Sequence, residues 1–132
     1  MLYSLNRWEN QEIITNLTEK SDFVIADRYY PSNLAYGVSR GLSLGWLQGL
    51  DRGLPTASLV IVLDVPVLSS FGRKSSGRDV HERDKRLLLR VERTYRTLAK
   101  KLDWKMVDAN RPVEEVREAV WGIVRKNFRF SS

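Results

Sequence analysis

Asp27 and Arg28 stand side by side after an apolar run, Asp22 to Ala26 (DFVIA), and directly before Tyr29. A carboxylate at such a place can orient the water ligands of a divalent cation, and a guanidinium can bridge phosphoryl oxygens as charge builds on them. The pair alone has a second reading, an ordinary structural ion pair at the start of a loop. The neighbouring residues favour chemistry: Ser32, Asn33 and Tyr36 come within one or two turns and add two short polar groups and an aromatic ring. Upstream, Tyr3 and Arg7 are four apart on a predicted helix and so share a face. A ring that stacks on a flat base, with an arginine reaching its exocyclic oxygen, suits a pyrimidine. The competing role for Tyr3 is core packing.

The elements that must position these groups follow from the apolar pattern. Three runs read as strands: Asp22 to Ala26, Ser58 to Val65 (SLVIVLDV) and Trp104 to Val107 (WKMV). The first two are near-continuous and rich in Val and Ile, as in strands covered on both faces. A helix is predicted over residues 4–19 with Leu5, Trp8, Ile13 and Leu17 inward. Another carries Leu88, Val91, Tyr95, Leu98, Ala99 and Leu102 at three- and four-residue spacings, and a last one carries Val113, Val116, Val120 and Ile123 after Pro112. Helix alternating with strand implies an α/β fold with a parallel sheet, whose ligands sit beyond the carboxyl ends of the strands. That rule selects Asp27-Arg28-Tyr29, the stretch after Asp64, and Asp108-Ala109-Asn110.

Composition narrows the classes. A chain of 132 residues with 42% hydrophobic content can form one modest core, expected over residues 1–132 as a single domain. No apolar stretch reaches the ~20 residues that span a bilayer, and no leader is apparent, so a soluble cytoplasmic protein is expected. There is no cysteine, and the single histidine, His81, is flanked by polar residues and reads as a surface side chain. The net charge of +6 is concentrated in residues 73–101, which hold eleven basic and four acidic residues. Such a field attracts polyanions, although a solvated helix face explains the charge equally well. Gly37, Gly41, Gly45, Gly49 and Gly53 recur every four residues and read as turn punctuation, since no Gly-Lys-Ser or Gly-Lys-Thr follows any of them.

Together these segments resemble the thymidylate kinase family. LYSLNRWE (residues 2–9) is similar to the family's Leu-Phe-Ser-Ala-Asn/Asp-Arg segment, and DRYYPSNLAYG (27–37) to its Asp-Arg-Tyr signature with the trailing Ser and Ala-Tyr. GLP (53–55) with SLVIVLDV, and WKMVDAN (104–110), resemble the two later strands in the same order. The resemblance implies ATP-dependent phosphorylation of dTMP to dTDP, with Mg²⁺ as cofactor and dTMP and ATP as partners. It implies that Tyr3 stacks on thymine and Arg7 contacts the base edge. Asp27 would serve the Mg²⁺ and phosphate site through water, and Arg28 would clamp the phosphate of the monophosphate. Ser32 and Asn33 would reach base or sugar, with Tyr36 against the deoxyribose. Arg73 and Arg78 would belong to a lid over the transferring group, with Lys74 or Arg83 as substitutes. Ala109 and Asn110 would border adenine.

One family feature has no counterpart. Members open with a strand and a Gly-rich phosphate loop that cradles ATP, and nothing in these 132 residues resembles it. In the family's strand order, 2-3-1-4-5, the three runs here correspond to strands 3, 4 and 5. The absent strand 1 would lie between two that remain and leave backbone groups unpaired. The expectation is therefore an internal start within a longer protein, a homodimer, or another chain supplying the N-terminal third. Two further readings are a catalytically incompetent remnant that binds dTMP or a partner subunit, and a nucleic-acid binder using residues 73–101. Against the last, that region lacks interleaved aromatic residues.

Overall fold

The computed structural model describes residues 8–68 and 82–128. Tyr3, Leu5, Arg7, Arg73, Lys74, Arg78 and His81 lie outside them. The chain divides into two compact units, residues 1–58 and 59–132.

The first unit is helical. It contains α1 (Gln11–Lys20), α2 (Tyr30–Ser39) and α3 (Leu44–Leu50). Tyr29 caps α2 without a side-chain hydrogen bond, and Pro31 sits in its first turn, where a missing N–H costs nothing. Ser43 caps α3 by accepting a hydrogen bond from the Trp46 backbone N–H. The core of this unit is Leu34, Ala35, Leu47 and Leu54. Gly37 on α2 lets α3 approach: a Cβ there would lie 2.6 Å from Leu47 Cδ1. Gly41 and Gly53 do serve turns, with φ of 94° and 97°, whereas Gly37, Gly45 and Gly49 lie within helices, so the glycine series is only partly punctuation.

Two expectations fail here. Asp22 to Ala26 is not a strand: the run leaves α1 without strand pairing, and Ile25 is 94% exposed. β-structure belongs to a pair of chain segments, and among the described residues no strand lies beside this one. The inward stripe of the first helix is likewise uncovered. Trp8, Ile13 and Leu17 are exposed and α1 buries no residue, because amphipathicity yields burial only where another element covers the stripe.

The second unit holds β1 (Ile61–Asp64), α4 (Glu82–Leu102), β2 (Lys105–Asp108) and α5 (Val113–Asn127). The strands pair in parallel from Ile61↔Lys105 to Asp64↔Asp108, so the described sheet has two strands rather than three. With α4 as the crossover this is a βαβ unit, and the mixed α/β class with a parallel sheet and flanking helices holds. α4 packs on both strands and α5 on β2. Val91, Leu98, Ala99, Trp104 and Val107 are buried, so the spacing rule found the inner face of α4. Val113 is exposed at the head of α5, while Val116, Val120 and Ile123 are half-buried. No helix among the described residues is long and apolar enough to cross a membrane.

Candidate functional site

In the first unit the groups expected to do chemistry fall on one short stretch. Asp27 and Arg28 are exposed at the bend between the extended run and α2. Arg28 has φ 60°, a left-handed conformation that side chains other than glycine adopt at a cost. Backbone strain at an exposed charged residue points from geometry towards function. The next helix begins at Tyr30, so its positive dipole end lies immediately after this arginine and favours an anion there, although Pro31 has no N–H and the Ser32 N–H donates to the Tyr29 carbonyl at 3.2 Å.

Ser32 and Tyr36 are four apart on α2 and so share a face, half-buried, with Asn33 beside them. The Asn33 side-chain Nδ2 is buried and donates to no group among the described residues. A buried amide donor left unpaired costs about 1–3 kcal/mol, which makes it a group in search of an acceptor.

Three aromatic residues hold the adjoining loop, and sequence reasoning gave none of them that task. The Tyr29 hydroxyl donates to the Pro55 carbonyl at 3.1 Å, and the Tyr30 hydroxyl accepts from the Ala57 N–H at 3.3 Å. Their rings meet edge to face, 5.2 Å apart at 68°. Trp8 Nε1 donates to the Leu50 carbonyl at 2.8 Å and its ring lies against Gly53. The available signal was the doubled tyrosine before a proline, with a Gly-Leu-Pro turn downstream.

In the second unit, the strand ends carry Asp64 and Asp108. Arg96 donates to Asp64 Oδ2 through Nε at 3.3 Å and Nη2 at 3.1 Å, and its Nη2 also reaches Glu92 Oε1 at 3.4 Å. That Glu92 oxygen accepts the Val67 N–H at 3.1 Å. A chain of charge-assisted bonds thus ties α4 to the backbone leaving β1, a connection only half visible in sequence as the Glu92–Arg96 spacing. Beyond β2, Asp108 Oδ1 accepts the Asn110 N–H at 2.9 Å, and the Ala109 N–H extends the ladder to the Asp64 carbonyl at 2.9 Å. Ala109 and Asn110 are therefore fixed through their backbone.

Mg²⁺ keeps several waters and needs only one or two carboxylates, so a lone exposed acid such as Asp27 fits a water-mediated role. Among the described residues no group of three His, Asp or Glu side chains converges into a site that would hold a metal by protein ligands alone.

Residues 1–120 match the family model described as Thymidylate kinase. The chain is 37% identical over 129 residues to the "Probable thymidylate kinase" of Pyrococcus abyssi, covering 95% of this chain and 63% of that protein. It is 35% identical over 131 residues to that of Thermococcus gammatolerans, covering 96% and 62%. To the "Thymidylate kinase" of Homo sapiens it is 32% identical over 123 residues, covering 91% and 58%. The chain spans about three-fifths of the length of the curated relatives it matches.

Proposed function

The chain belongs to the thymidylate kinase family, and on that footing we propose that it forms the acceptor side of an enzyme transferring the γ-phosphoryl group of ATP to dTMP, giving dTDP and ADP. The observation that carries this is the strained, exposed Arg28 beside Asp27 at the start of α2. Its guanidinium forks onto the 5′-phosphate of dTMP, and the positive end of the α2 dipole lies beside the same oxygens. Asn33 Nδ2 gives its unused hydrogen bond to base or sugar, Ser32 adds a second polar contact, and Tyr36 packs against the deoxyribose. Tyr3 stacks on thymine and Arg7 reads its edge. Arg73 and Arg78 close over the transferring group, and Ala109 and Asn110 border adenine. Mg²⁺, held through water by Asp27, supplies charge neutralisation between the phosphates.

Phosphoryl transfer depends on positioning and on charge, so these residues hold the acceptor and border adenine but leave the phosphates of the donor without their Gly-rich cradle. The exposed apolar run of Phe23, Val24 and Ile25 supports pairing with a strand outside these 132 residues. That strand, with its phosphate loop, comes from a longer form of the protein or from a separate chain. A cytoplasmic location and a single domain over residues 1–132 are part of the same proposal. The remnant and nucleic-acid readings gain nothing from the three relatives compared above, each of which is named as a thymidylate kinase or probable thymidylate kinase.

Calorimetric titration of the purified chain tests this. dTMP should bind, and ATP should bind weakly or not at all to the chain alone. A chain that ignores dTMP contradicts the acceptor role. Tyr3→Ala should weaken dTMP by ~1–3 kcal/mol, the scale of base–aromatic stacking, and an equal loss for unrelated ligands would assign the ring to the core instead.

A further inference from the structure

The left-handed backbone of Arg28 costs free energy, and such a conformation persists only where its surroundings over-determine it. Residues 21–28 are exposed and form no strand, so the run that enters the bend does little to fix it. The residue that leaves it is better held. Tyr29 lies between Arg28 and α2 with φ −100° and ψ −149°, so its rotation sets how the arginine stands to that helix. No side-chain cap hydrogen bond fixes this rotation. Its hydroxyl instead donates to the Pro55 carbonyl at 3.1 Å, and the Tyr30 hydroxyl accepts from the Ala57 N–H at 3.3 Å. The edge-to-face contact of the two rings couples these grips.

The loop they grip is itself anchored. Gly53 turns it at φ 97°, Leu54 is buried, and the Leu54 N–H donates to the Asp51 carbonyl at 3.0 Å. Trp8 donates to the Leu50 carbonyl and lies against Gly53, so chain from both sides of the bend is tied to residues 50–57. All of these groups belong to the first unit. The net worth of two neutral hydrogen bonds is of the same order as the cost of one left-handed residue. The two hydroxyls can therefore hold Arg28 in place, and their loss can release it. Rotation about the Arg28 N–Cα bond swings Asp27 relative to the guanidinium, so this φ also decides how acid and arginine stand to one another.

We propose that Tyr29 and Tyr30 are positioning residues of the acceptor site: through Pro55 and Ala57 their hydroxyls hold Arg28 at positive φ and set it, with Asp27, against α2. The proposal rests on the phosphate-binding role of Arg28 given above. A purely structural role for the two tyrosines predicts lower stability when the hydroxyls are lost, and nothing more.

The test is Tyr29→Phe/Tyr30→Phe in the whole 132-residue chain, which keeps both rings and removes both hydroxyls. The first readout needs no ligand: NMR couplings that report the sign of φ at residue 28. The parent should give a positive φ, and the variant should shift towards negative values with its circular dichroism unchanged. The second is the ratio of dTMP to thymidine affinity by calorimetry. It should fall roughly fivefold or more, the scale of two neutral hydrogen bonds, while thymidine affinity holds. Ser43→Ala removes the cap of α3, destabilises the same unit and should move neither readout. Should the double variant fail to fold, Tyr29→Phe alone should still shift both. An unchanged φ at residue 28, or an equal shift in Ser43→Ala, would overturn the proposal. A parent that binds dTMP no better than thymidine refutes the acceptor reading and this proposal with it. A preference that depends on Arg28 but not on the two hydroxyls refutes this proposal alone.

Discussion

Arg28 combines a charge that function needs with a backbone conformation that stability disfavours. At φ 60° it occupies a region that glycine enters freely. Replacing it separates the two contributions. Arg28→Gly should raise thermal stability by up to about 1 kcal/mol, yet bind dTMP no better than it binds thymidine. A variant that melts lower than its parent would show that the arginine side chain, not its backbone, dominates the local energetics. Asn33 makes a parallel case. Asn33→Leu removes the buried unpaired donor and should stabilise the fold while weakening dTMP. A denaturant midpoint that falls, with dTMP affinity intact, would place that amide in the structure rather than in the site. At this scale the sequence was informative. Asp27, Arg28, Ser32, Asn33 and Tyr36 were identifiable as types at a spacing, because short helical spacings fix which side chains are neighbours. The strain at Arg28 and the orphaned amide were not, since both depend on dihedrals and burial that no spacing encodes.

The helices α4 and α5 were readable in advance, α1 was read as a helix but not as an uncovered one, and α2 and α3, which meet at Gly37 and Leu47, were not predicted. The apolar ladder on α4 became a buried face because two strands lie beneath it. The same pattern on α1 and the Val-Ile run at 22–26 became exposed surface, since periodicity reports what a segment can bury and not what is there to bury it against. Contacts between elements offer sharper tests than propensity. Gly37→Ala gains helix propensity of ~1 kcal/mol but drives a methyl into Leu47, which is only 2% exposed. Overpacking should win, with a net loss of ~1 kcal/mol that vanishes in a Leu47→Ala background. Additive losses in that double-mutant cycle would mean that the two helices do not meet at Gly37. The bond from the Val67 N–H to Glu92 gives another element-level test. Glu92→Ala should speed hydrogen exchange at Val67 while the α4 amides near Leu98 stay protected, and an unchanged Val67 rate would deny the tie between helix and strand exit.

Across the whole chain, the proposed function assigns the parts to the reception of one substrate, dTMP. An arginine and an acid sit at the head of α2, a βαβ unit comes after it in the chain, and the chain covers about three-fifths of its relatives' length. What decides the matter is whether the 5′-phosphate is what the chain recognises. The measurement is a paired calorimetric titration of the intact chain with dTMP and with thymidine, repeated on Arg28→Ala. The parent should bind dTMP more tightly than thymidine by about 1.5–3 kcal/mol, the worth of charge-assisted hydrogen bonds, and Arg28→Ala should erase that difference. Equal affinities in the parent, or a preference for dTMP that survives the loss of Arg28, would contradict it.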